Sequence, residues 1–409
     1  MKCSGVPTTL WNKNYLALLA GYGFYWLGNG LFMFALPLYI LMETDDPTLL
    51  GTILALSAIP MVLLSPVGGI IADRFSKQKL MMLMHLLGTV GFAVYFAFIG
   101  QVNMIVGSVV LLLFGYTLDG LFASSIEASI PAIIPEEQIV RGNSISTLVT
   151  SLAQIVTPVV GGFILIYLGL ATIMSLAIIL SFSALVCKAF CRVPFTPQHA
   201  ETTLAKTIVT DLRTASFFVS KENRAVGKAL ILLALLNISL GNIVSVALPV
   251  LMTVYFDQGE QTLGVVQGFI MVSAIVASLL SAKLGDKLSI QLVPKFLLTA
   301  AGLLALLGGV FLVASYTALP YLLTIGVFFL IMMLHTLVMI ALWSYIGEHT
   351  PEHLLGKVMG LAFSFMIAGI GIGSYFYGLS LGWFIDTPAV ALLIFATVAG
   401  IVGLFARVR

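Results

Sequence analysis

Stretches of about 20 apolar residues follow one another along almost the whole of this sequence. Each is long enough to cross ~30 Å of hydrocarbon as a helix. The chain has 409 residues, is 60% hydrophobic and has a mean hydropathy of +1.11. A soluble protein of that size could not hide so much apolar surface, so the class is an all-α, multi-pass membrane protein. Twelve spans can be placed, at about 14–41, 50–72, 80–100, 103–129, 144–168, 170–190, 226–255, 263–283, 296–315, 318–346, 355–381 and 387–406. Several connections are very short, such as Gln101-Val102-Asn103 and the region around Gly169, which forces antiparallel neighbours. The apolar run after MKCSGVPTTLWNKN is too long for the core of a cleaved leader and reads as a retained first span.

Charge is scarce, at 9% of residues, and its placement is one-sided. With the N-terminus inside, all 19 Lys and Arg fall on the cytoplasmic side or at its membrane edge. The outer connections carry acids instead: Glu43, Asp45, Asp46, Asp257, Glu260 and Asp386. This is the positive-inside pattern, and it puts both termini in the cytoplasm. A miscounted span would invert every connection after it, so the pattern supports the count. Cys3, Cys187 and Cys191 suggest no disulfide framework. The last two, one helical turn apart, read as packing residues rather than metal ligands.

One long polar segment, residues 191–225, separates six spans (1–190) from six more (226–409). Leu204, Ile208 and Leu212 recur within it every four residues, which predicts an amphipathic helix on the inner surface. The two halves match in order. Leu27-Gly28-Asn29 with Ala35-Leu36-Pro37 returns as Leu240-Gly241-Asn242 with Ala247-Leu248-Pro249. Asp73-Arg74-Phe75-Ser76 returns as Asp286-Lys287-Leu288-Ser289, and Pro135-Glu136 as Pro351-Glu352. The offsets are 213 or 212 (240 − 27, 247 − 35), then 213 (286 − 73), then 216 (351 − 135). Two six-helix halves repeated in parallel are the architecture of major facilitator transporters.

Specific residues carry the same resemblance. The run Gly69, Asp73, Arg74, Ser76, Lys77, Lys79 resembles the major facilitator signature G-x3-D-[RK]-x-G-[RK]-x-[RK] between spans 2 and 3, with Ser76 where the pattern has Gly. Thr157-Pro158-Val159-Val160-Gly161-Gly162 resembles the end of the span 5 antiporter signature, and the run from Ile134 onward is similar to the macrolide-efflux and siderophore-exporter branch. The arginine that many members carry in span 4 is absent. The resemblance implies two pseudo-symmetric six-helix bundles in a bacterial cytoplasmic membrane, with spans 1, 4, 7 and 10 lining a central cavity. It also implies a conformational latch at Gly69, Asp73, Arg74 and Lys77, repeated at Asp286 and Lys287. Glu127, at the inner end of span 4, is a candidate acid facing Arg74 or Lys77. Anchoring of the loop by positive charge is the alternative reading for Lys77 and Lys79, but it explains Asp73 poorly.

Charges inside a span are costly and usually face an internal cavity. Asp119 lies about 16 residues, or ~24 Å of rise, into span 4. Adding 216 lands on His335 in span 10, while Asn29 and Asn242 lie near the middle of spans 1 and 7. These four converge near the depth of transporter sites, although interhelical hydrogen bonding would also account for the asparagines. Tyr22, Tyr25, Trp26 and Asn29 share one helical face, suited to bulky amphipathic or cationic ligands or simply to packing. His85, near the inner edge of span 3, is assigned no special role. No phosphate loop, metal cluster or nucleophile constellation points to an enzyme, a cofactor or nucleic acid. The expectation is a monomeric, proton-coupled exporter, an antiporter of the multidrug-resistance kind, for a hydrophobic or amphipathic small molecule. Its rivals are an importer or lipid flippase of the same fold and a non-transporting membrane receptor.

Overall fold

The computed structural model describes residues 9–101, 103–127, 129–135, 138–194, 204–285, 288–314 and 318–406, which are helical almost throughout. The helices are α1 (Lys13–Thr44), α2 (Pro47–Arg74), α3 (Lys77–Ala97), α4 (Met104–Glu127), the short α5 (Ile130–Ile133) and α6 (Ile139–Phe190). After these come α7 (Leu204–Phe217), α8 (Arg224–Ser239), α9 (Glu260–Leu284), α10 (Val293–Ala314), α11 (Ala318–Glu348), α12 (Glu352–Trp383) and α13 (Pro388–Phe405). Among the described residues, eleven helical stretches are long and apolar enough to cross a membrane. One of them, within the 52-residue α6, turns at Gly169 (φ 75°, ψ 172°) and therefore makes two spans, which restores the expected twelve. A Cβ on Gly169 would meet nothing within 4 Å, so glycine is needed here for its left-handed backbone and not for space.

Side chains close the short connections. Asp46 Oδ1 accepts the N–H groups of Thr48 (2.8 Å) and Leu49 (3.1 Å), and Pro47 opens α2 with no N–H to satisfy. Asn103 Oδ1 does the same for Ile105 (3.0 Å) and Val106 (3.2 Å) at the start of α4. At the other end of the first half, Gln78 Nε2 donates to the carbonyls of Lys188 and Ala189, each at 3.2 Å, covering two of the orphan carbonyls that end α6.

The chain forms two compact units. The first takes in the chain up to Leu36 together with Leu63–Thr210. Within it α3 packs on both α4 and α6. The second takes in Pro37–Val62 together with the chain from Asp211 onward. Within it α8 packs on α12, α9 on α11 and α10 on α13. The first half of α2 meets α12 through small residues. A Cβ on Gly51 would overlap the Ser374 carbonyl and lie 2.8 Å from Gly378 Cα, so only glycine lets these backbones approach so closely.

Span 7 departs from the single uninterrupted helix expected over 226–255. α8 stops at Ser239, residues 240–242 turn, and the chain continues in wider π-type turns at Ile243–Ala247 and Val250–Tyr255. Helix breaks at membrane depth are tolerated where the freed carbonyls find partners inside the protein. Here Asn242 Nδ2 donates to the Asn237 carbonyl (3.1 Å) and Tyr377 Oη to the Ser239 carbonyl (2.5 Å). The linker does contain the expected helix, α7, on which Val209 and Phe217 are exposed. Asp211 of α7 pairs with Lys357 Nζ of α12 at 2.7 Å.

Candidate functional site

The site is built from α1, α3, α4 and α6 of the first unit. Asp119 projects from the sixteenth position of α4, and both carboxylate oxygens are engaged from α1. Tyr25 Oη donates to Oδ1 at 2.5 Å, and Asn29 Nδ2 donates to Oδ2 at 3.5 Å. Tyr25 and Asn29 can act together because they are four residues apart and share a helix face. The carboxyl is only half-buried, and among the described residues no cation lies within salt-bridge distance of it. A mid-membrane acid with two neutral donors and no fixed counter-charge can hold and release a proton, or accept a cationic or hydrogen-bonding ligand.

The aromatic face expected on span 1 is present. The rings of Tyr22 and Trp26 meet edge-on at 6.0 Å and those of Tyr25 and Trp26 at 5.5 Å. Trp26 Nε1 is buried and has no hydrogen-bond partner among the described residues. The span 5 motif supplies the packing behind this face. Thr157, beside Pro158, fits against Gly30, and Gly161 lies under Phe34, so both contacts fall within about one and a half turns of Asn29. Gly162 is buried in the same stretch of α6.

The repeat does not carry the site symmetrically into the second unit. Asn242 is fully buried and accepts Ser374 Oγ at 2.7 Å while bridging the break in span 7. It therefore serves the helix break, whereas Asn29 serves the acid. His335 lies on α11 with Nε2 buried and without a hydrogen-bond partner among the described residues. Of the latch residues, Gly69 and Asp73 fall in the last two turns of α2, Arg74 ends it and Lys77 opens α3, while Glu127 ends α4. The side chains of Asp73 and Glu127, and all of Asp286 and Lys287, lie outside the described residues.

Two residues that sequence reasoning did not assign belong to this region. His85 of α3 is 1% exposed, sets its ring edge-on to Tyr25 at 5.5 Å, and lines a cavity of about 30 Å³ together with Tyr25, Asn29, Asp119 and Ser181. Lys188 of α6, placed at a membrane edge by its position in the sequence, is fully buried. Its Nζ donates to the Leu18 carbonyl of α1 at 3.0 Å, in space left by Gly21. The available signal was the residue type itself, a histidine or a lysine within an apolar run, overridden by its closeness to a span end.

Residues 18–374 match the sequence profile of the Major Facilitator Superfamily. The chain is 26% identical over 364 residues to the enterobactin exporter EntS of Salmonella choleraesuis (strain SC-B67), covering 85% of this chain and 81% of that protein. It is 28% identical over 370 residues to the enterobactin exporter EntS of Escherichia coli O1:K1 / APEC, covering 85% and 80%. Among solved structures it resembles a D-xylose-proton symporter with a TM-score of 0.74 at 16% identity, covering 96% of this chain and 97% of that one. At that identity the likeness bears on the fold alone.

Proposed function

The chain belongs to the Major Facilitator Superfamily, and from that premise we propose that it exports an amphipathic, siderophore-like small molecule from the cytoplasm in exchange for protons. It is a multi-pass transporter and not an enzyme. The direction, the substrate class, the coupling to protons, the action as a monomer and the cytoplasmic placement of both termini are parts of the proposal. The observation that carries it is the half-buried Asp119 carboxyl, held by Tyr25 and Asn29 with no cation within salt-bridge distance among the described residues. A protonated Asp119 is neutral and has a hydrogen to donate, whereas an ionised one only accepts. Proton and substrate thus see two different sites at one position, which is what exchange requires. The aromatic face of Tyr22, Tyr25 and Trp26 beside it suits the flat rings of an amphipathic ligand. The two enterobactin exporters support a ligand of the siderophore kind.

The test is accumulation of enterobactin, with erythromycin as the macrolide comparison, in everted membrane vesicles that carry an imposed pH gradient. Gradient-driven uptake into everted vesicles is the expected result. Asp119→Asn should abolish accumulation while leaving downhill exchange. Uptake confined to right-side-out vesicles would make the protein an importer. Full gradient-driven accumulation by Asp119→Asn would remove Asp119 from coupling.

A further inference from the structure

The cavity beside Asp119 contains a second titratable group that the reading above does not use. His85 Nε2 is buried and has no hydrogen-bond partner among the described residues. Unpaired buried nitrogens are rare in native structures and call for an explanation. The rest of His85 is well fixed. Its carbonyl accepts both Thr89 Oγ1 (2.7 Å) and Ser181 Oγ (3.2 Å), so α3 and α6 hold its backbone, and Tyr25 holds its ring. Tyr25 also touches Asp119, with its ring against His85 and its hydroxyl on the carboxylate. The cavity that His85 and Asp119 both line has about 30 Å³, room for a water molecule or two, and its Tyr, Asn, Ser and Asp groups give a water partners to bond.

We propose that His85 is the second proton-carrying group of this site. The proton passes between Asp119 and His85 Nε2 through water in the cavity, entirely within the first unit. This rests on the proton-coupled reading above. In the forward step the carboxylic O–H of Asp119 gives its proton to the water, the water gives one of its own to Nε2, and a neutral pair becomes carboxylate and imidazolium. The reverse step restores both. The titratable and charged groups around His85 are Tyr25 on α1, Asp119 on α4 and Lys188 on α6, with Tyr22 and Tyr116 next to Tyr25 and Asp119. A protonated His85 is attracted to the Asp119 carboxylate and repelled by Lys188. Its charge is therefore stable only while Asp119 is ionised, and that condition ties the two groups into one coupled unit.

The experiment needs no substrate, so it fails or succeeds independently of the export assay. Infrared difference spectra of the purified full-length protein, acid minus alkaline, contain the protonated carboxyl band of Asp119, identified as the band lost in Asp119→Asn. In a coupled pair that band titrates in two steps. His85→Gln should leave one step, displaced by about one pH unit or more. His335→Gln should leave both steps in place. Wild-type protein labelled with 15N-histidine gives the same answer on an unaltered fold. Its five histidines are assigned by single substitutions, and the ring of His85 should change protonation in the pH range where the carboxyl band does. An unchanged two-step titration in His85→Gln overturns the proposal. So does a His85 ring that stays in one protonation state from pH 5 to about 9, the range in which an exchanging partner must titrate. Loss of the second step in His335→Gln also overturns it, in favour of a partner in the second unit.

Discussion

The span 5 motif can be tested through its contact with span 1. A Cβ on Gly30 would lie 2.7 Å from Thr157 Oγ1, 2.8 Å from Cγ2 and 3.1 Å from Cβ. Both branches of the threonine stand in the way, so a rotamer change exchanges one overlap for the other and the helices must separate. Forcing a methyl into a packed interface costs about 1–3 kcal/mol. For a unit of roughly 200 residues each kcal/mol moves the melting temperature by about 2–4 °C, so Gly30→Ala should lower it by about 2–12 °C. Thr157→Ala removes both offending atoms and on its own leaves a small void. The double variant Gly30→Ala/Thr157→Ala should then be less destabilised than the sum of the singles, with a coupling of about 1–2 kcal/mol. The assay is thermal unfolding of the purified protein in detergent, run as a double-mutant cycle. Melting shifts that add, with no coupling between the two positions, would refute a direct contact between Gly30 and Thr157. Because Gly30 adjoins Asn29, Gly30→Ala should also lower transport, and Thr157→Ala should partly restore it.

Asn242→Ala removes the bond from Nδ2 to the Asn237 carbonyl and the bond that Oδ1 accepts from Ser374 Oγ, although the Gly241 N–H still reaches the first group and the Ile370 carbonyl still accepts the second. At about 0.5–1.5 kcal/mol per lost bond, thermal unfolding should show a loss larger than that of Ser374→Ala. In a cysteine-free background, Thr44→Cys and Gln261→Cys should react with an impermeant thiol reagent added outside whole cells, whereas Ser76→Cys and Ser289→Cys should not. External labelling at position 289 would break the proposed topology. Asp73→Asn should insert normally but transport poorly, with altered distances between spin labels at the Arg74 end of α2 and the Glu352 end of α12. Unchanged distances with normal transport would reduce Asp73 to part of a charged anchor.

The spans were legible because hydrocarbon imposes a single length and composition on each of them, and Gly169 punctuates the long run Ile139–Phe190 where a two-span reading needs a turn. Asp119 was legible for the same reason, since a carboxylate in the middle of an apolar run has few structural explanations. Its partners were legible only through helical spacing from Asn29. His85 and Lys188 were not legible, because position along a span does not say which way a side chain points. Lys188 is the third-last residue of α6, where a lysine usually reaches for water. Gly21 on α1 opens a space there, and the side chain turns inward to the Leu18 carbonyl. That choice depends on a residue 167 positions away (188 − 21), which no local pattern records.

The break in span 7 shows why an internal repeat predicts position better than role. Leu27-Gly28-Asn29 and Leu240-Gly241-Asn242 occupy matching places, yet α1 runs through the first while the helix stops within the second. In α1 the backbone groups are satisfied by the helix itself, so the Asn29 amide is free to reach Asp119 on α4. At Gly241 a Cβ would lie 2.8 Å from the Asn237 carbonyl oxygen, so glycine is needed in the turn that brings Asn242 back towards that carbonyl, which the Gly241 N–H also reaches at 3.1 Å. The Asn242 amide is drawn to it, and the Ser374 hydroxyl occupies the acceptor that remains. One amide cannot both cap a broken helix and orient a carboxylate on another helix. The second unit accordingly holds its asparagine as structure. The first unit keeps the acid, its two donors, the cavity and His85 in one place, and that is why the proton chemistry is assigned there.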